Sequence, residues 1–234
     1  MEALLSSFLA PDRACLKVCG VISAADASKL IDLQVPALGL NFWPSSKRHL
    51  SPTQALTFLP ELKGKILRVG VFVNNARELA PPLIEAKALD VVQLHGDEEE
   101  EEAEFFLQQG VPVIRALALP ADSTPNSLAS LAEHYHNFAK RFSAPFILLL
   151  DAHAPGVYGG TGKTINWEQA QEFISLASPL PVLLAGGITS ANAGSALSAT
   201  GAAGLDVASG SEISPGVKDF EKVTALLSAC ASVD

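Results

Sequence analysis

The chain has 234 residues, 48% of them hydrophobic and 18% charged, which excludes a disordered polymer and suffices for a large buried core. Its 16 basic and 25 acidic side chains leave a formal charge of −9 at pH 7, which argues against a nucleic-acid partner and against binding at an anionic membrane surface.

The N-terminal stretch MEALLSSFLAPDRA places Glu2 where a secretory leader carries a basic residue, and Ser6 and Ser7 interrupt its apolar run. It is expected to be a helical or frayed extension, residues 1–14, of a single domain spanning 1–234. From there short apolar runs recur at 15–18, 37–42, 67–73, 91–94, 113–117, 146–150, 182–185 and 204–207. Each is short and rich in Val, Ile or Leu, as a strand buried on both faces should be. Segments such as 23–33, 98–109 and 167–176 show helical spacing between them. Strand–helix alternation from end to end requires parallel strands, because each crossover needs a helix. An open dinucleotide-binding sheet would show G-x-G-x-x-G after its first strand, where this chain has CGVISAAD. The expected fold is therefore α/β, a single (β/α)8 TIM barrel with a parallel eight-stranded core. No apolar run approaches the ~20 residues that span a bilayer. The three cysteines, Cys15, Cys19 and Cys230, are too few and too odd in number for a disulfide framework and fit a reducing, cytoplasmic compartment. They find no neighbouring His or Cys to complete a metal set, so no metal is expected.

In such a barrel the chemistry gathers at the C-terminal ends of the strands. Alternation along the first strand puts Leu16 and Val18 on the helix-covered face and turns Lys17 and Cys19 inward, with Cys19 at the rim. Cys19 is then a base or nucleophile, or else a small buried hydrophobe. Asp151 closes the run FILLL, where desolvation raises a carboxyl's pKa and prepares a general acid; a helix cap is the alternative. His95 ends the fourth strand and either meets a ligand or fills the mouth. Arg48 is a candidate carboxylate anchor after the second strand. Glycine turns follow the last two strands, with Gly186 and Gly187 in one and Ser209 and Gly210 in the other, at the ordinals where barrels bind phosphate. Barrel closure sets Asp206 beside Lys17 and predicts an ion pair below the catalytic layer. GGTGKT (159–164) lacks the glycine spacing of a phosphate loop and reads as a lid beside Asp151. The acidic run 97–102 reads as a solvated helix start, and Trp43 and Trp167 as packing residues.

Seven segments carry a family resemblance: LKVCG (16–20), GLNFWPSSKRHLSP (39–52), RVGVFVN (68–74), VVQLHGDE (91–98), LLLDAHAPGVYGGTGKTINW (148–167), LLAGGIT (183–189) and GLDVASGSEISPGVKD (204–219). Together and in this order they resemble the phosphoribosylanthranilate isomerase family of tryptophan biosynthesis. The resemblance implies an Amadori rearrangement of a small phosphorylated substrate, with no cofactor. It implies Cys19 as general base, Asp151 as general acid and Arg48 on the anthranilate carboxylate. The two glycine turns would hold the phosphate, with His95 and Asp206 also at the substrate. Lys17 is expected to lower the thiol's pKa toward neutrality. Asn166 stands where the family often has Asp, and Ile22 where a hydroxyl residue is common. Two rivals remain at this point: a metal-dependent pentose-phosphate epimerase, and a catalytically silent barrel that docks a basic protein. A monomer and a homodimer are both compatible with the sequence.

Overall fold

The structure is a computed structural model that describes residues 2–10, 14–151 and 165–232. The expected lid, 159–164, lies outside the described residues. Eight apolar runs form β1 (Cys15–Cys19), β2 (Ala37–Asn41), β3 (Leu67–Phe72), β4 (Val91–Leu94), β5 (Val113–Leu117), β6 (Phe146–Leu150), β7 (Val182–Leu184) and β8 (Gly204–Val207). Each pairs in parallel with the next, and β8 closes on β1 with Lys17 opposite Asp206. The sheet is thus a closed barrel. The helices are α1 (Glu2–Phe8), α2 (Ala24–Asp32), α3 (Pro52–Leu56), α4 (Ala76–Glu85), α5 (Glu100–Leu107), α6 (Pro125–Ala139), α7 (Trp167–Ala177), α8 (Ala193–Thr200) and α9 (Phe220–Ala231). A two-stranded antiparallel ribbon, β9 (Glu212–Ser214) and β10 (Val217–Lys218), follows β8.

Side-chain alternation divides the apolar residues into two layers. Leu16, Val18, Leu38, Leu40, Leu148 and Leu150 point outward and pack beneath the helices. Ala37, Leu67, Val69, Val91, Ile147 and Leu149 point inward and fill the barrel. Leu5 and Phe8 of α1 join this inner cluster, so the N-terminal segment is a packed helix that covers the barrel's interior from its N-terminal end. Burying each such side chain is worth about 1.5–3 kcal/mol.

Side-chain caps set where several loops hand over to helices. Ser23 accepts from Asp26 N at the start of α2, and Thr124 forms a capping box at α6. Asn166 accepts from Glu168 N and Gln169 N at α7, a role that asparagine and aspartate fill alike. Asn in the family's Asp position therefore keeps the cap.

Candidate active site

Above the apolar filling the inward positions turn polar. Lys17, Cys19, Gln93, His95, Asp151 and Asp206 continue the same inward rows at the C-terminal ends of their strands. All of these but Lys17, which is buried beneath it, line a cavity of about 570 Å³. Of the residues expected from the sequence, Cys19, Arg48, His95, Asp151, Gly186, Gly187, Asp206 and Ser209 all line it. Gly210 stands behind the wall: a Cβ there would fall 1.9 Å from the Ile188 carbonyl oxygen. Its role is to let the turns after β7 and β8 touch. Trp43, read as a packing residue, lines the cavity instead.

The expected ion pair is present. Lys17 Nζ lies 2.8 Å from Asp206 Oδ2, and neither side chain is appreciably exposed. Gly39 of β2 makes room for it, since a Cβ at this position would sit 2.7 Å from Cys19 Sγ and 2.9 Å from Lys17 Nζ. Lysine and thiol are thus close neighbours. Burial works against the Lys17 charge, but Asp206 and Cys19 outweigh it and hold its pKa above the ordinary lysine value. The thiol differs from expectation. Burial pushes the Cys19 pKa up and Asp206 pushes the same way; Lys17 and Lys218 pull it down without prevailing. The net shift is upward, so in this arrangement the group rests as a thiol. Asp206 Oδ1 is buried without a hydrogen-bond partner and is an acceptor available to a ligand.

Across the cavity, His95 Nε2 lies 3.1 Å from Asp151 Oδ2, and its Nδ1 lies 2.9 Å from Gln93 Nε2. The imidazole bridges the Gln93 amide and the Asp151 carboxyl through its two ring nitrogens. His95 thus neither merely fills the mouth nor stands alone; it orients Asp151. The rim beneath it is clamped by Glu98, whose carboxylate accepts from Asn74 N, Gly96 N and Arg115 Nη1 at 2.8, 2.8 and 3.0 Å. Glu98 is buried, which corrects the reading of 97–102 as a uniformly solvated helix start.

Gly186 and Gly187 both take positive φ, 80° and 65°, which a side chain would strain. Asn192 ties this turn from behind, accepting from Thr189 N at 2.8 Å and donating to Gly187 O at 3.1 Å. Ser209–Ser211 is a single helical turn, with Ser211 Oγ donating to Ala208 O. The two turns form one wall of the cavity and suit an oxyanion that binds by backbone N–H groups.

Two residues at the site escape the strand-alternation pattern. Glu212 grips Arg48, accepting from Nε and from Nη2, and Lys218 Nζ lies 2.9 Å from the same carboxylate. Lys218 also donates to Cys19 O at 2.5 Å. Both are buried, and their pairing joins the loop after β8 to the ends of β1 and β2. In the sequence they are marked only by their place in the resemblance segment GLDVASGSEISPGVKD. Among the described residues, no three His, Cys, Asp or Glu side chains converge to hold a metal ion.

Among the described residues, the polar side chains Cys19, Gln93, His95, Asp151 and Asp206 gather above the apolar filling of the barrel, toward the C-terminal end where enzymes of this fold carry out their chemistry. The protein is a (β/α)8-barrel enzyme. The family model for N-(5'phosphoribosyl)anthranilate (PRA) isomerase matches residues 16–229. A relative in Myxococcus xanthus named N-(5'-phosphoribosyl)anthranilate isomerase is 40% identical over 94% of this chain and 97% of its own. The phosphoribosyl anthranilate isomerase of Thermotoga maritima superposes with a TM-score of 0.76 at 30% identity, covering 93% of this chain and 98% of that one. A further solved isomerase holds reduced 1-(o-carboxyphenylamino)-1-deoxyribulose 5-phosphate and superposes with a TM-score of 0.74 at 28% identity, over 93% and 98% of the two chains. This chain belongs to the N-(5'-phosphoribosyl)anthranilate isomerase family.

Proposed function

We propose that the chain isomerises N-(5-phosphoribosyl)anthranilate to 1-(2-carboxyphenylamino)-1-deoxyribulose 5-phosphate, a step of tryptophan biosynthesis, by general acid–base catalysis. The observation that carries the reading is the placing of Cys19 and Asp151 on one cavity, on strands three apart round the ring, with glycine turns on its wall. Asp151 gives a proton to the ribose ring oxygen as the C1–O bond breaks, leaving a protonated Schiff base. Cys19 as thiolate removes the C2 proton, and the resulting enolamine tautomerises to the ketose; no redox partner is needed. His95 holds the acid in place. Lys17 and Lys218 supply the positive field that favours proton loss from a buried thiol. Arg48 receives the anthranilate carboxylate, Gly186, Gly187 and Ser209 form the phosphate seat with Gly210 keeping their two turns in contact, and Asp206 Oδ1 accepts from a sugar hydroxyl.

The whole chain acts as one domain, as a monomer or homodimer, on a small phosphorylated substrate, without nucleic acid or membrane. The cysteines Cys15, Cys19 and Cys230 are all free, as suits the cytoplasm. Among the described residues no helix is long and apolar enough to cross a membrane.

The test follows the fluorescence of phosphoribosylanthranilate as it is consumed. Cys19→Ser and Asp151→Asn should each lower kcat by about 10²–10⁴ with little change in KM. Arg48→Ala should chiefly raise KM. Full turnover in either acid–base variant refutes the assignment.

A further inference from the structure

Arg48 is held before any ligand arrives. Glu212 accepts from its Nε at 2.8 and 3.0 Å and from Nη2 at 2.7 Å, a fork along one edge of the guanidinium. The guanidinium plane carries five N–H donors and offers a carboxylate two such edges. Glu212 takes the Nε/Nη2 edge. Nη1 has no partner among the described residues, so the Nη1/Nη2 edge stays open. Arg48 lines the cavity while Glu212 lies behind the wall, and the open edge is therefore the one toward the ligand.

Glu212 is itself fixed in place. Lys218 Nζ lies 2.9 Å and Gly216 N 3.1 Å from its Oε1. The stem of Arg48 lies flat on Gly20, where a Cβ would fall 2.2 Å from Arg48 Cδ. Two cations share one anion here, leaving one positive charge unbalanced beside the cavity. A second carboxylate, from a ligand, completes the set.

We propose that Glu212 is a positioning residue for substrate selection: it presents the Nη1/Nη2 edge of Arg48 to a carboxylate on the substrate's aryl ring and stays in place when that carboxylate binds. This rests on the isomerase reading. Other geometry on the same residues would make Glu212 a competitor that the substrate displaces, but its own bonds to Lys218 and Gly216 hold it back from the cavity.

Glu212→Gln is assayed on phosphoribosylanthranilate and on N-(5-phosphoribosyl)aniline, which lacks the carboxylate. The ratio of their kcat/KM values should fall about tenfold, mainly through KM for the anthranilate compound. Equal losses on both compounds make Glu212 merely structural and overturn the proposal; a lower KM for phosphoribosylanthranilate makes it a competitor and also overturns it. A second measurement needs no variant. In wild-type protein with isotope-labelled arginine, the hydrogen-bonded Nε–H resonance of Arg48 should persist on titration with reduced 1-(o-carboxyphenylamino)-1-deoxyribulose 5-phosphate, while the Nη1 signal shifts. Loss of the Nε–H signal overturns the proposal. A wild-type protein that converts neither compound refutes the isomerase reading instead, and this role with it.

Discussion

Replacing Lys17 with methionine strands Asp206. The two groups lie 2.8 Å apart, with 0% of the lysine side chain and 6% of the aspartate side chain exposed. Asp206 Oδ1 already lacks a partner, so no other group takes over. Breaking a buried pair by removing one member costs about 3–5 kcal/mol. In a domain of this length each kcal/mol moves Tm by roughly 2–4 °C, so the midpoint should fall by ~6–20 °C. Lys17→Met combined with Asp206→Leu removes both charges and fills their space with apolar groups, and should recover most of the loss. Calorimetry of the wild type, the single variant and the double variant decides the matter. A single-variant drop below ~2 °C, or a double variant no more stable than the single one, refutes a buried pair of this strength. The same change removes a downward influence on the thiol, and any residual activity of Lys17→Met should need higher pH than the wild type.

The pH profile of Asp151→Asn, in which the acid no longer titrates, isolates the thiol. The thiol's pKa is raised and its reactive form is the charged one, so the residual kcat/KM of this variant should climb with pH from neutrality toward the ordinary thiol value of 9.0. Stopped assays across that range check this, and a flat profile of the variant from neutrality upward rules out Cys19 thiolate as the rate-determining base. Gly210→Ala pushes a methyl group into the Ile188 carbonyl oxygen at 1.9 Å and must part the two glycine turns. Weaker inhibition by inorganic phosphate and a higher KM are expected; unaltered values would show that these turns do not hold the phosphate.

Much of the site was legible because period-two alternation is strict in a strand. Once Leu16 and Val18 were assigned outward, Lys17 and Cys19 had to point inward, and the same rule carries Asp151 past Leu149 and His95 past Gln93. Closure of the ring then brought Asp206 opposite Lys17. Where side chains answered to more than their own strand, the sequence was silent. The upward shift of the Cys19 pKa depends on burial, which no strand pattern measures, and it outweighs the lysine that the pattern did reveal. Glu98 looked like one solvated acid among several until the loops after β3 and β4 turned their N–H groups toward it.

The amino-acid sequence by itself determined the strands, the inward rows of side chains, the fold and the order of the motifs, because all of these follow from local periodicity and from the crossover that parallel strands require. Tertiary structure alone decided that Glu212 grips Arg48 from 164 residues away, that His95 meets Asp151, and that α1 packs into the barrel's interior. Those pairings join different loops and elements, whose relative placement is set by ring closure and packing rather than by any repeating pattern along the chain.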